Sequence, residues 1–106
     1  MCIIVPTGAP ENLSYFNVTS STFTLTWNAP PFEEQNGDII GYVVNVSRSD
    51  EQSRPSTITV KTLSFIATYL SQDTRYEVSV AAMTQVGVGP FSAPIPIKTI
   101  KLGTTI

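Results

Sequence analysis

The chain has 106 residues, 42% of them apolar and 13% charged, with a formal net charge of −2. That length suits one domain, expected to bury roughly 60–65% of the surface its unfolded chain exposes, and the apolar content argues against disorder. The balance of charge supplies no basic field, and Lys and Arg stand singly, which excludes nucleic acid and anionic membrane surfaces as expected partners.

In chain order, residues 1–9 read as an N-terminal tail or linker. Its "CIIVP" is too short for a secretion-signal core and has no basic residue before it. Cys2 is the one cysteine. No intrachain disulfide can form, which suits a reducing compartment or a disulfide-free extracellular fold equally. A first short strand is predicted over Leu13–Val18. "STFTLTWN" then alternates with period two, setting Phe23, Leu25 and Trp27 on one face and Thr22, Thr24 and Thr26 on the other.

After the turn chemistry of "NAPP" and "QNGD", "IIGYVVNVS" repeats the alternation with Ile40, Tyr42, Val44 and Val46 inward. The break "SDEQSRP" precedes two short candidates, Thr57–Val60 and Ser64–Thr68. "SQDT" then leads to "RYEVSVAAM", with Tyr76, Val78, Val80 and Ala82 inward. "VGVGP" is followed by a Pro-studded last strand over Ala93–Thr99, and residues 100–106 read as a C-terminal linker or tail. No segment holds a helical period, and no apolar run nears the ~20 residues of a membrane span. Seven short strands with turns about every ten residues predict an all-β, antiparallel two-sheet sandwich of one domain, residues 10–99.

Little in the chain points to chemistry. The spacing of Gly87 and Gly89 invites comparison with a phosphate-cradling loop. Such a loop needs a helix N-terminus behind it, whereas Pro90 and a strand follow here, so a turn is expected. With no histidine in the chain, Ser–His and Cys–His nucleophilic pairs and His metal sites are excluded. Glu33, Glu34 and Asp38 form the densest acidic group, in a connection between strands that reads as solvated. Glu77 alternates outward, and no EF-hand spacing occurs. No catalytic residue, cofactor or metal is expected. Three Asn-x-Ser/Thr sequons begin at Asn12, Asn17 and Asn45, all on outward phases or near turns. They favour an extracellular host.

Several features, in order and spacing, resemble a fibronectin type III module from about Pro10 to Thr99. Pro10 and Leu13 open it, Trp27 closes the second strand, and Pro30 and Pro31 follow. "GDIIGY" leads into the third strand, "LSQDTRY" resembles the Leu-x-Pro-x-Thr-x-Tyr corner, and "GVGPFS" the Gly-x-Gly-x-x-Ser loop. Trp27, Tyr42, Leu70, Tyr76, Gly87 and Gly89 carry this signature.

The resemblance implies an immunoglobulin-like sandwich with Trp27 between the sheets, its indole N–H needing a partner if buried. It also implies a tyrosine corner in which Tyr76 reaches back to backbone near Leu70–Asp73. One departure is Gln72, where the family usually has proline. By resemblance the chain is a non-catalytic interaction and spacer module of an extracellular multidomain receptor or adhesion protein. Hosts of that kind include receptor-type tyrosine phosphatases and axon-guidance receptors. The alternatives are a spacer in a secreted enzyme and an intracellular sarcomeric or scaffold module.

Neither an Arg-Gly-Asp tripeptide nor a Trp-Ser-x-Trp-Ser motif occurs. Partners are expected to be proteins or neighbouring domains of the same chain, without direct membrane insertion, and the isolated domain to be monomeric. Two surfaces stand out for contact. One is a loop pole where Phe32, Val86 and Val88 form an apolar knob beside Glu33, Glu34 and Asp38. The other is an outer sheet face carrying Ile39, Val43, Ala81 and Met83, with Asn45 projecting from it.

Overall fold

The computed structural model describes residues 5–49 and 56–102; Cys2 and most of the "SDEQSRP" break lie outside them. The described residues form eight strands and one short helix. These are β1 (Glu11–Phe16), β2 (Phe23–Asn28), α1 (Phe32–Gln35), β3 (Gly41–Arg48), β4 (Ser56–Val60), β5 (Ser64–Ala67), β6 (Arg75–Met83), β7 (Val88–Phe91) and β8 (Ile95–Lys98). β1-β2-β5 make one antiparallel sheet. The other runs β4-β3-β6-β7, and β8 also pairs with β6.

The core follows from alternation. Phe23, Leu25 and Trp27 of β2 face Tyr42, Val44 and Val46 of β3 and Tyr76, Val78, Val80 and Ala82 of β6, with Ile97 of β8 closing the set. Each fully buried Val, Leu or Phe contributes about 1.5–3 kcal/mol by leaving water. A one-residue slip of β2 would turn Phe23, Leu25 and Trp27 to the solvent at once, so the register is strongly specified. Two edge-on ring contacts join the layers: Trp27 with Tyr42 at 5.7 Å and 64°, and Phe23 with Tyr76 at 6.1 Å and 66°. Trp27 is buried, yet its indole Nε1 finds no hydrogen-bond partner among the described residues, contrary to the expectation.

The structure corrects the sequence reading at four further places. The sandwich has eight strands rather than seven, because the expected turn "VGVGP" contributes β7. Proline and glycine are tolerated there because β7 lies at the sheet edge. The last strand is thus split in two, both halves lying on β6. Ser92 spans the interruption. Its N–H donates to the Val80 carbonyl at 2.8 Å, and its Oγ accepts the Val80 N–H at 3.0 Å. Pro94, with no N–H, cannot continue the ladder there.

α1 was not anticipated. Its four residues are too few to show a period, and it ends at Asn36 in the left-handed region (φ 59°). Ile40 is exposed rather than inward, and Ile39 packs against the core instead. Just before β3 the Ile40 N–H donates to the Met83 carbonyl at 2.9 Å. Finally, Val43 and Ala81 are buried, not exposed, on the outer face. They sit mid-row between Thr59 and Phe91 across four strands, flanked on both sides.

Candidate interaction surfaces

The first pole gathers α1, the β6–β7 turn and the segment Val5–Ala9. The turn is closed by Thr84 N–H donating to the Gly87 carbonyl at 3.0 Å and Val86 N–H to Thr84 Oγ1 at 3.3 Å. The N-terminal segment runs between this turn and α1. On one side Thr7 and Gly8 donate to the Glu34 carbonyl at 2.9 and 3.4 Å, and Asn36 Nδ2 donates to the Val5 carbonyl at 3.3 Å. On the other side, Pro6 lies so close to Gly89 that a β-carbon there would sit 2.6 Å from the Pro6 carbonyl oxygen. A β-carbon on Gly87 would meet Val5 at 3.2 Å. Gly89 is therefore required by close backbone approach, and Pro6 is fully buried.

The segment thus bridges the two loops. Phe32 is 86% exposed and Val86 59%, so neither packs down on its own loop; Val88 is also exposed. Glu33 and Asp38 are exposed, whereas Glu34 is half-buried. Phe32, Glu33 and Asp38 rim an open hollow of about 360 Å³ with Asn36 and Gly37 at its side.

The opposite pole is organised by the β5–β6 corner. The Tyr76 hydroxyl accepts the Ser71 N–H at 2.8 Å. Thr99 ties the end of β8 to it: its Oγ1 accepts the Thr74 N–H at 3.0 Å and donates to the Ser71 carbonyl at 2.6 Å. Leu70, half-buried, packs against the core while its N–H donates to the Ser21 carbonyl at 3.0 Å. Beyond β8 the Ile100 N–H donates to the Thr19 carbonyl at 3.1 Å, and the Leu102 N–H to Gln72 Oε1 at 2.6 Å. That last acceptor exists only because residue 72 is not proline. Next to the corner stands Tyr69, wholly exposed with φ 59°, a backbone region that aromatic residues seldom occupy.

The lateral face is less open than the alternation implied. Of its four apolar residues, Val43 and Ala81 are covered, Ile39 turns toward the core, and Met83 is half-buried. Asn45 lies half-buried in the middle of β3, its Oδ1 accepting from Thr57 Oγ1 at 2.9 Å. A separate cleft of about 260 Å³, lined by Val46, Ile58, Phe65, Ala67 and Leu70, marks the side where β4 and β5 leave the two sheets unjoined. Among the described residues no group of three or more His, Cys, Asp or Glu side chains could hold a metal ion, and no helix is long and apolar enough to cross a membrane.

A family model of the fibronectin type III domain matches residues 8–98. The chain belongs to the fibronectin type III family. Fibronectin type III modules from two kinds of multidomain cell-surface protein are similar to it. Protein sidekick-2 of Gallus gallus is 37% identical over 98 residues, covering 90% of this chain and 4% of that protein. Receptor-type tyrosine-protein phosphatase F of Homo sapiens is 38% identical over 96 residues, covering 91% of this chain and 5% of that protein.

Among solved structures, the chicken CNTN1 FN1-FN3 domains superpose with a TM-score of 0.78 at 26% identity, covering 91% of this chain and 31% of that one. Domains A168-A170 of titin superpose at 0.79 and 22% identity, covering 92% and 33%, and attest the fold alone. The fibronectin type III chain thus spans only a small fraction of its curated relatives. The phosphatase activity in the name of one of them does not pass to a module covering 5% of it. The fibronectin type III family is one of non-catalytic modules.

Proposed function

We propose that this module is an interaction and spacer unit in the extracellular part of a multidomain receptor or adhesion protein. One observation supports the spacer role above the others: the chain enters and leaves at opposite poles and is tied to the body at both. Thr7 and Gly8 are bonded to Glu34 at one pole, Ile100 and Leu102 to Thr19 and Gln72 at the other. Ends held in this way pass orientation from one neighbour to the next, which a freely jointed tail does not do.

In this reading residues 10–99 are the module, and residues 1–9 and 100–106 are its connections. Phe32, Val86 and Val88, with Glu33 and Glu34, form the surface offered to a preceding domain or a protein partner. The extracellular assignment draws on the cell-surface relatives and on the three sequons. An antibody to an epitope beside the module, applied to intact cells making the full-length protein, tests it. Staining without permeabilisation is the expected result. Staining only after permeabilisation overturns the extracellular assignment and favours an intracellular scaffold.

A further inference from the structure

The three sequons are not equivalent once folded. Asn45 sits mid-strand in β3, flanked by Thr57 and Ser79, half-buried and with its Oδ1 already bonded to Thr57. Asn12 lies inside β1 at a bulge, with φ 58°, and the hydroxyl of its sequon Ser14 is paired with Thr26 Oγ1 at 3.0 Å. Asn17 differs from both. It follows the last residue of β1, is exposed, and holds φ 53°, so its carboxamide leaves the sheet at a turn. Its sequon ends in Thr19, which builds that turn by accepting the Ser21 and Thr22 N–H groups at 3.2 and 2.9 Å.

Immediately before Asn17 stand two half-exposed rings, Tyr15 and Phe16, each 47% accessible. Tyr15 pairs with the buried Leu25 and so stands on the inward side of β1, whereas Phe16 stands on the outer face opposite Thr24, which in turn faces Ile66, itself 59% exposed. An outer face of a small sheet normally carries polar groups, so the Phe16 ring there is an open apolar ledge without a partner among the described residues.

We infer that Asn17 carries an N-linked glycan whose first N-acetylglucosamine lies on the outward Phe16 ring. The apolar face of a pyranose ring covers aromatic surface well, and it removes from water area that the fold alone leaves exposed. The covalent step is the ordinary one of the secretory pathway, with a lipid-linked diphospho-oligosaccharide as donor. Asn17 Nδ2 forms a bond to C1 of the donor's first sugar, the C1–O bond to the diphosphate breaks, and the amide gives up one proton as the lipid diphosphate departs. Transfer occurs on the unfolded chain. The native structure enters afterwards, through how each finished glycan is accommodated. A glycan on Asn17 meets an open turn and a ledge; one on Asn45 must rise from the centre of a packed face.

This site rests on the extracellular reading for its use in the cell, but its chemistry is testable apart from it. The 106-residue chain is directed into the secretory pathway of animal cells behind a secretion leader. Glycopeptides are then mapped by enzymatic release of the glycan in heavy-oxygen water. The expected result is a glycan on Asn17; an unmodified Asn17 overturns the assignment.

The ledge is tested by comparing melting points with the glycan trimmed to one sugar and with Asn17→Gln. The single sugar is expected to raise the melting point by a few degrees, and this gain to vanish in a Phe16→Ser variant. An equal gain in both backgrounds refutes the stacking. A host found to be intracellular would leave these outcomes unchanged, so failure of the cellular reading and failure of the site remain distinguishable.

Discussion

Changing Tyr76 to Phe removes one atom from the β5–β6 corner and leaves the ring in place. The edge-on contact with Phe23 stays, as does the burial of the ring between the sheets. What disappears is the acceptor for the Ser71 N–H, at 2.8 Å. Leaving a buried donor unpaired costs about 1–3 kcal/mol, and because Ser71 itself is exposed, water relieves part of that. A loss of about 1–2 kcal/mol is expected.

For a domain near 100 residues this lowers the melting point by roughly 4–8 °C per kcal/mol. Urea denaturation checks it directly: the midpoint falls while the slope, which reports exposed surface, stays constant. Tyr69→Phe, at a wholly exposed position, is the control and should stay within about 0.5 kcal/mol. If Tyr76→Phe leaves the midpoint where it was, or moves it no further than Tyr69→Phe does, the corner is not the stabilising tie described.

Three other outcomes are expected. Gly89→Ala places a β-carbon against the Pro6 carbonyl and should displace the N-terminal segment, at a cost of about 1–3 kcal/mol. Faster amide exchange at Thr7 and Gly8, with exchange in β6 unchanged, would register it. Gln72→Ala removes the acceptor for the Leu102 N–H and should free the chain exit, accelerating exchange at Leu102 with under about 0.5 kcal/mol lost overall. Burial pushes the Tyr42 phenol above its ordinary value near 10. The unfolded chain therefore deprotonates first, so this contribution is complete below about pH 10 and is lost as pH rises toward the folded value. Ultraviolet titration of wild type against Tyr42→Phe should show one phenol ionising late.

The fold was legible wherever side-chain direction decides burial. Phe23, Leu25 and Trp27 read as one face because nothing in "STFTLTWN" competes with period two, and Tyr76 to Ala82 read the same way. Exposure was less legible than direction. Val43 and Ala81 do point outward by phase, but on a four-strand face their neighbours Thr59 and Phe91 cover them, which a single strand cannot reveal. The split of the last strand was hidden because Gly89 and Pro90 signal a turn. Only the edge position beside β6, and the nearness of Pro6, explain why they sit in a strand. The N-terminal segment has no periodicity to read; its order comes from backbone bonds to Glu34, 27 residues away in the case of Thr7. Gln72 stood out as a departure in sequence, yet its use as an acceptor for Leu102 is visible only in space.

The ties at the two poles also govern how the module yields to pulling. A tensile force along the chain reaches the body through the segment before β1 at one pole and the segment after β8 at the other. It meets single bonds first, Thr7 and Gly8 against Glu34 at one end and Leu102 against Gln72 at the other. Bonds loaded one after another part at lower force than a ladder sheared as a whole. The end segments therefore pay out before β1 leaves β2 or β8 leaves β6, adding about 3.3–3.6 Å of reach for each residue released. Under tension the module behaves as a rod with a short elastic lead at each end, lengthening slightly while its core stays shut.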